Sequence, residues 1–443
     1  MLRFGTAGIR GPVSESVTPE AIMAVARAAV EPGDDIVLGR DGRETGAVLC
    51  DAAAAGFASG GASVERLGIV PTPALAFASQ GRMGAMVTAS HNPPGDNGIK
   101  LFDDGVSIDA DREQRIEERS DMPPVNWERW GHVRSGSVLS PYRRAIESYL
   151  EQFGDVPRDL LIAVDCGCGT ASLIAPDLLR NLGATVRTLN ATIDGTFPAR
   201  PSKPTPETIG TLRSFVRDGP ADLGIAFDGD ADRIVIVDGT GQVVHEDTIV
   251  AILAEQYVQD APGDDPVVIT TPNASERIDT RVHSAGGRIE RTPLGRLEAG
   301  ISAVEHGTVV FAAEPWKHLH PGFGGWIDGL LSAGLTAKVV AATDLEELRD
   351  PIRELPYLKT SVSCPDARKT RVLSKLENEL AEAFPAATID TAYGIRLSLD
   401  AGGWILIRPS GTEPKIRIYV ESETAEQLCP RVQDLVSDIV SSE

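Results

Sequence analysis

Leu223-Gly224-Ile225-Ala226-Phe227-Asp228-Gly229-Asp230-Ala231-Asp232-Arg233 sets a short apolar run directly ahead of a dense acidic loop, and Ile234-Val235-Ile236-Val237 follows as a second apolar run. An apolar stretch this short, ending at once in polar residues, reads as a buried strand that delivers a loop at its carboxyl end. The arrangement recurs along the chain. Ile36 to Leu38 precedes Arg40-Asp41-Gly42-Arg43, Ala85 to Val87 precedes Thr88, and Leu161 to Val164 precedes Asp165; Val267 to Thr270 and Val309 to Ala312, the latter before Glu314, continue the series. Helical stretches stand between them, the first opened by Thr18 and Pro19 with Ile22, Val25, Ala26 and Ala29 on one face. Repeated units of this kind predict doubly wound α/β layers, whose ligand sites lie beyond the carboxyl ends of the strands.

A chain of 443 residues is too long for one ordinary core. A polar, tryptophan-containing stretch over 121–139 leads into a helix from Pro141 to Phe153, and a helix from Thr248 to Val258 opens a further unit. After Pro356 the texture becomes α+β: an alternating strand, a helix from Ala367 to Phe384, then Ile405 to Ile407 and Ile416 to Val420 flanking a loop. Four domains are expected, over 1–138, 139–247, 248–355 and 356–443.

The formal net charge of −22 argues against a nucleic-acid partner, because phosphate backbones are bound by clustered Lys and Arg. With 8 Lys against 34 Arg, the acidic composition also resembles that of proteins from salt-loving microbes. No apolar run approaches the roughly 20 residues of a membrane span, and no signal-like stretch follows Met1, so a cytoplasmic protein with no membrane partner is expected. The five cysteines read as reduced thiols, Cys166-Gly167-Cys168 being a strand-to-turn segment. Oligomer interfaces leave no readable signal, so a monomer and a homo-oligomer both stand.

Three loops carry chemistry. In Thr88-Ala89-Ser90-His91-Asn92-Pro93-Pro94-Gly95 a serine is exposed to react, His91 can exchange a proton with it, and Lys100 downstream can hold a phosphate; the same residues also suit an ordinary Asn-Pro-Pro-Gly turn. Asp228, Asp230 and Asp232 crowd like charges that a hard cation would gather. An EF-hand fails here, since its sixth position would be Arg233 and its twelfth Gly239. In Arg408-Pro409-Ser410-Gly411-Thr412-Glu413-Pro414-Lys415-Ile416-Arg417, small residues bracketed by cations make a nest for a phosphate dianion, or a plain hairpin loop.

Together with the opening Phe4-Gly5-Thr6-Ala7-Gly8-Ile9-Arg10-Gly11, these loops resemble, in order and over the whole chain, the α-D-phosphohexomutases. The resemblance implies three similar α/β domains and a C-terminal domain like the TATA-binding-protein fold around a central cleft. It implies that phosphorylated Ser90 gives its phosphate to a phosphorylated hexose, forming a bisphosphate that turns over and returns the other phosphate, with a sugar 1,6-bisphosphate as primer. Mg²⁺ would be held by Ser90, Asp228, Asp230 and Asp232. Arg10, His91, Lys100 and Arg233 would surround the reacting group, and Arg408, Ser410, Gly411, Thr412 and Arg417 would grip the other phosphate.

The family's sugar loop, Gly-Glu-x-Ser-Gly-His, is altered here to Ala313-Glu314-Pro315-Trp316-Lys317-His318, with Asp328-Gly329 matching downstream. Glu314 and His318 survive as sugar contacts. Trp316 and Lys317 read either as new sugar contacts or as packing plus a solvated cation. Thr292-Pro293-Leu294-Gly295-Arg296 also departs, with Arg296 where many members carry His or Asp. The opening loop looks most like that of phosphoglucosamine mutases, ahead of phosphomannomutase and phosphoglucomutase. A sugar-phosphate phosphatase and a silent sugar-phosphate binder would share the same residues.

Overall fold

The computed structural model describes residues 4, 5, 8–154, 160–261, 263, 265–411 and 413–442. The first sheet is built from β1 (Ile9–Pro12), β2 (Asp35–Arg40), β3 (Ser63–Ile69), β4 (Met83–Val87), β5 (Asp96–Asp103), β6 (Val106–Ser107) and β7 (Val133–Ser135). Its order is β1-β5-β4-β2-β3-β7, with β6 paired to β5. The second runs β11-β10-β8-β9, from β8 (Leu161–Asp165), β9 (Thr185–Leu189), β10 (Leu223–Phe227) and β11 (Ile234–Asp238). The third runs β13-β12-β14-β15, from β12 (Pro266–Thr270), β13 (Arg288–Arg291), β14 (Thr308–Glu314) and β15 (Lys317–Leu319). The stretch over 121–139 contributes β7, which pairs parallel to β3 along Val64↔Val133 to Arg66↔Ser135.

Each of these sheets is parallel in its middle and turns antiparallel toward one side. The turn comes at the same place each time: β4 returns as β5 with Val87 opposite Ile99, β10 returns as β11 with Phe227 opposite Ile234, and β14 returns as β15 with Glu314 opposite Lys317. The serine loop, the acidic loop and the altered sugar loop are therefore the tips of three equivalent hairpins. Each tip holds a non-glycine residue in the left-handed region, Ser90 at φ 48°, Ala231 at 61° and Trp316 at 67°. Such residues persist only where the surroundings over-determine them, and they cluster at functional sites.

One apolar cluster runs through all three α/β units, from Val37 and Met86 through Ile162, Phe227 and Ile236 to Phe311 and Val340. Its axis is the helix Gly329–Ala342, in which every residue but the last is buried. A helix apolar on every side belongs inside a core rather than on its surface. The C-terminal unit has a core of its own, formed where the helices Asp366–Ala383 and Ala425–Ser442 cover one face of an antiparallel sheet. That sheet, β16-β20-β19-β18-β17, uses β16 (Tyr357–Ser363), β17 (Thr388–Asp390), β18 (Ile395–Ser398), β19 (Trp404–Pro409) and β20 (Lys415–Glu421). Its attachment to the third unit is polar: Glu421 accepts from Ser275 Oγ at 2.5 Å and from Arg277 Nη2 at 3.1 Å, both partners being buried. Among the described residues no helix is long and apolar enough to cross a membrane.

Candidate active site

Ser90 is fully buried at the tip of the β4–β5 hairpin. Its hydroxyl donates to Asp228 Oδ2 at 2.9 Å and lies 3.5 Å from His91 Nδ1. Its own N–H is taken by Thr88 Oγ1 at 2.8 Å, and the Thr88 hydroxyl donates in turn to Asp41 Oδ2 at 2.7 Å. Burial, with Arg233 and Arg10 close by, pushes the His91 imidazole down to about 3, so the ring is neutral near pH 7.

Asp228, Asp230 and Asp232 occupy the tip of the β10–β11 hairpin, buried, with ligand oxygens all within 4.8 Å of one another. Gly229 is required between the first two, because a Cβ there would stand 3.1 Å from the Ser90 carbonyl and 2.7 Å from Ser202 Oγ. Asp230 is steadied by the Thr72 hydroxyl, which donates to Oδ2 at 2.6 Å. Burial raises the Asp228 and Asp230 carboxyls, and the neighbouring Asp232 adds to the effect. For Asp232 burial pulls the same way but is outweighed by Arg233, Lys100 and Lys317, leaving it below its ordinary value. Asp230 Oδ1 and Asp232 Oδ1 are buried without a hydrogen-bond partner. Crowded, desolvated carboxylates with unused oxygens fit a hard divalent cation, which prefers oxygen ligands and would relieve their mutual repulsion.

A cleft of about 840 Å³ opens beside this pair of loops. Its lining brings together Arg10 and Lys100 from the first unit, Asp232 and Arg233 from the second, Glu314 and Lys317 from the third and Gly411 from the fourth. Burial lowers both the Arg10 and Lys100 cations from their usual values. Lys100 also sits over the Phe102 ring at 4.7 Å. Arg233 Nε lies 3.4 Å from Asp232 Oδ1 and 3.9 Å from Asp228 Oδ2.

The altered third-unit loop divides in two. Lys317 faces the cleft and pairs with Glu314 Oε1, while the Gly295 N–H donates to Glu314 Oε2 at 2.8 Å. Burial acts to raise the Glu314 carboxyl, but Lys317, the Gly295 N–H and Arg233 together hold it below its ordinary value. Trp316 packs instead against the second unit's cluster around Ile209 and Leu212. His318 points into the core, 4% exposed, against Ser332 Oγ at 3.1 Å, and burial pushes it down to about 4. It does not line the cleft. Arg296, in the other departing loop, does.

In the fourth unit Arg408, Ser410 and Arg417 stand around the β19–β20 loop, whose residue Gly411 reaches the cleft. Thr412 lies outside the described residues. Ser410 is buried, Arg417 pairs with Glu413 Oε2 at 2.6 Å, and Arg408 Nε and Arg417 Nε have no partner.

Sequence reading assigned no role to several residues that hold these loops. The nearly buried Lys369 donates to the carbonyls of Ser410 and Glu413 at 2.6 and 2.8 Å. Arg200, paired with Asp165 at 2.7 Å, donates to the Phe227 carbonyl at 2.6 Å, just before the acidic triad. Asp41 and Arg43 form a fully buried pair behind the serine loop. The available signal for the last two was a charged pair at the mouth of an apolar strand, too common by itself to mark a role.

Residues 1–123 match the family described as phosphoglucomutase/phosphomannomutase, alpha/beta/alpha domain I; residues 140–241 match its domain II and 362–437 its C-terminal domain. A protein of Thermococcus kodakarensis named phosphopentomutase is 39% identical over 439 residues, covering 96% of this chain and 95% of its own. One of Methanothermobacter thermautotrophicus, named probable phosphoglucosamine mutase, is 38% identical over 440 residues, with 96% and 94% covered. Among solved structures, a phosphoglucomutase/phosphomannomutase family protein from Burkholderia thailandensis superimposes with a TM-score of 0.84 at 25% identity, over 99% of this chain and 97% of that one. With that likeness running from end to end, and a serine, an acidic triad and a cation-lined cleft brought together from separate units, the chain belongs to the α-D-phosphohexomutase family of phosphosugar-isomerising enzymes.

Proposed function

We propose that this is a cytoplasmic enzyme moving a phosphate between the 6- and 1-hydroxyls of a hexose phosphate by way of phosphorylated Ser90. One observation carries the reading: Ser90 Oγ stands 2.9 Å from Asp228 within a buried cluster of carboxylates suited to a cation. As the sugar hydroxyl bonds to phosphorus, the bond from phosphorus to Ser90 Oγ breaks, and His91 and Lys100 share the proton transfer, one taking the sugar hydroxyl proton and the other returning a proton to Ser90 Oγ. The resulting bisphosphate turns over in the cleft, and its other phosphate returns to Ser90. Mg²⁺, held by Asp228, Asp230, Asp232 and a phosphoserine oxygen, would neutralise charge on the transferred group. Arg10 and Arg233 orient that group, Glu314 and Lys317 meet the sugar, and Arg408, Ser410, Gly411 and Arg417, with Thr412, grip the idle phosphate. A sugar 1,6-bisphosphate primes the serine.

Glucosamine is the preferred hexose, supported by the opening loop and by relatives named probable phosphoglucosamine mutase. A second reading, a neutral hexose or pentose phosphate, is favoured by Lys317, whose cation in the cleft repels a sugar ammonium, and by the relative named phosphopentomutase. The deciding assay offers glucosamine 6-phosphate, glucose 6-phosphate, mannose 6-phosphate and ribose 5-phosphate with Mg²⁺ and glucose 1,6-bisphosphate. Isomerisation of one of them, lost in Ser90→Ala, is expected. Isomerisation that survives the substitution, or steady phosphate release in place of isomerisation, defeats the reading.

A further inference from the structure

Arg43 sits in the loop that follows β2, two residues after Asp41, and is fully buried. Its Nη2 donates to the carbonyls of Ser90 and Asn92, each at 2.8 Å, and its Nη1 to those of Pro93 and Asp96, at 2.5 and 2.8 Å. Its Nε donates to Asp41 Oδ2 at 3.1 Å. The same Asp41 oxygen takes the hydroxyl of Thr88, which holds the Ser90 N–H. One guanidinium thus gathers four carbonyls of the serine loop, and its counter-ion grips that loop from the other side.

Two physical features set this apart from ordinary packing. Ser90 is held at φ 48°, a conformation that reverts unless its neighbours fix it. Peptide carbonyls are also the negative ends of their dipoles, so a loop that is to carry a phosphate dianion gains from having them drawn back onto a buried cation. Only a planar fork with five donors reaches four carbonyls and a carboxylate at once; an ammonium has three donors.

We propose that Arg43 is the positioning residue of the phosphoryl-carrying serine: with Asp41 and Thr88 it fixes Ser90 Oγ for transfer without touching the sugar. The proposal rests on the reading of Ser90 as the phosphate carrier. Arg200, donating to the Phe227 carbonyl at the end of β10, and Lys369, donating to two carbonyls of the β19–β20 loop, place buried cations on backbone carbonyls elsewhere in the molecule.

The test loads Ser90 from glucose 1,6-bisphosphate, removes the excess, and follows transfer to whichever of the four sugar phosphates the wild type isomerises fastest, in a single turnover. The rate constant per phosphorylated chain is read, so a smaller folded fraction does not move it. Arg43→Lys is expected to transfer about tenfold more slowly and Arg43→Met about a hundredfold, as expected for small misplacements of a reacting group, with half-saturating sugar phosphate within about twofold of wild type. Should Arg43→Met not fold, Arg43→Lys decides. Transfer by Arg43→Lys at the wild-type rate overturns the proposal alone. Wild type that takes no label at Ser90 overturns the carrier reading and this inference with it.

Discussion

Asp230 carries, at the scale of one residue, the case for a cation at the acidic loop. One oxygen is satisfied by Thr72, the other is buried with no partner, and the carboxyl is raised by burial and by Asp232. A buried charge in this condition costs stability until a cation joins it. In EDTA, Asp230→Asn is therefore expected to be more stable than wild type by about 1–2 kcal/mol. Mg²⁺ should raise the thermal midpoint of the wild type by mass action and leave that of the variant nearly unchanged. Isomerase activity of the variant should fall by about 100-fold or more. Equal responses of the two proteins to Mg²⁺ would sink the assignment. At this scale the candidate residues were legible, because Ser90 and the three aspartates sit in short, distinctive runs. Arg43 was not, since a guanidinium serving carbonyls 47 to 53 residues away leaves no local pattern.

The hairpin tip is the unit at the next scale. The acidic loop is pressed against the start of the helix Gly329–Ala342, where a Cβ on Gly329 would meet the Ala231 carbonyl at 2.9 Å and Arg233 N at 3.0 Å. Gly329→Ala must push the helix or the loop aside, at a cost of about 1–3 kcal/mol. It is expected to weaken Mg²⁺ binding as well as stability, measured by calorimetric titration and by denaturant unfolding; unchanged Mg²⁺ affinity would show that the helix merely abuts the loop. Apolar runs announced β4, β10 and β14 correctly. That each returns as an antiparallel neighbour, making three equivalent tips, depends on cross-strand register, which no run of residues declares by itself.

For the whole molecule, charge and burial make two predictions. The net charge of −22 repels itself through the solvent, and the Debye length falls from about 10 Å at 0.1 M salt to about 3 Å at 1 M. The thermal midpoint should rise by several degrees over that range; a falling midpoint would contradict it. Protonation acts from within. Burial holds His318 down to about 4 and His320 well below its usual value, each neutral and bonded to Ser332 in the third unit. Because the folded values lie below the unfolded one, near 6.5, the unfolded chain takes up protons first as pH falls, and stability present above that value is lost between pH 6.5 and about 4. Burial raises Asp41 to about 6 and Asp247 to about 7, and these run the other way, losing stability as pH rises through those values. The difference between wild type and His318→Gln isolates the histidine: the variant should gain on wild type by an amount on the order of a few kcal/mol from pH 7 to 4, read by urea unfolding. A pH-independent difference would refute it.

Local patterning was enough for the layered α/β units, the α+β tail and the polar loops that end the strands, because strand burial and loop composition are written in neighbouring residues. Which loops meet was a tertiary matter: Ser90 and Asp228 are 138 positions apart and touch only because three sheets share one core. The same holds for direction. Trp316, Lys317 and His318 are consecutive, yet one packs on the second unit, one enters the cleft and one points into the core. Packing around a left-handed turn sets those directions, and composition carries no record of them.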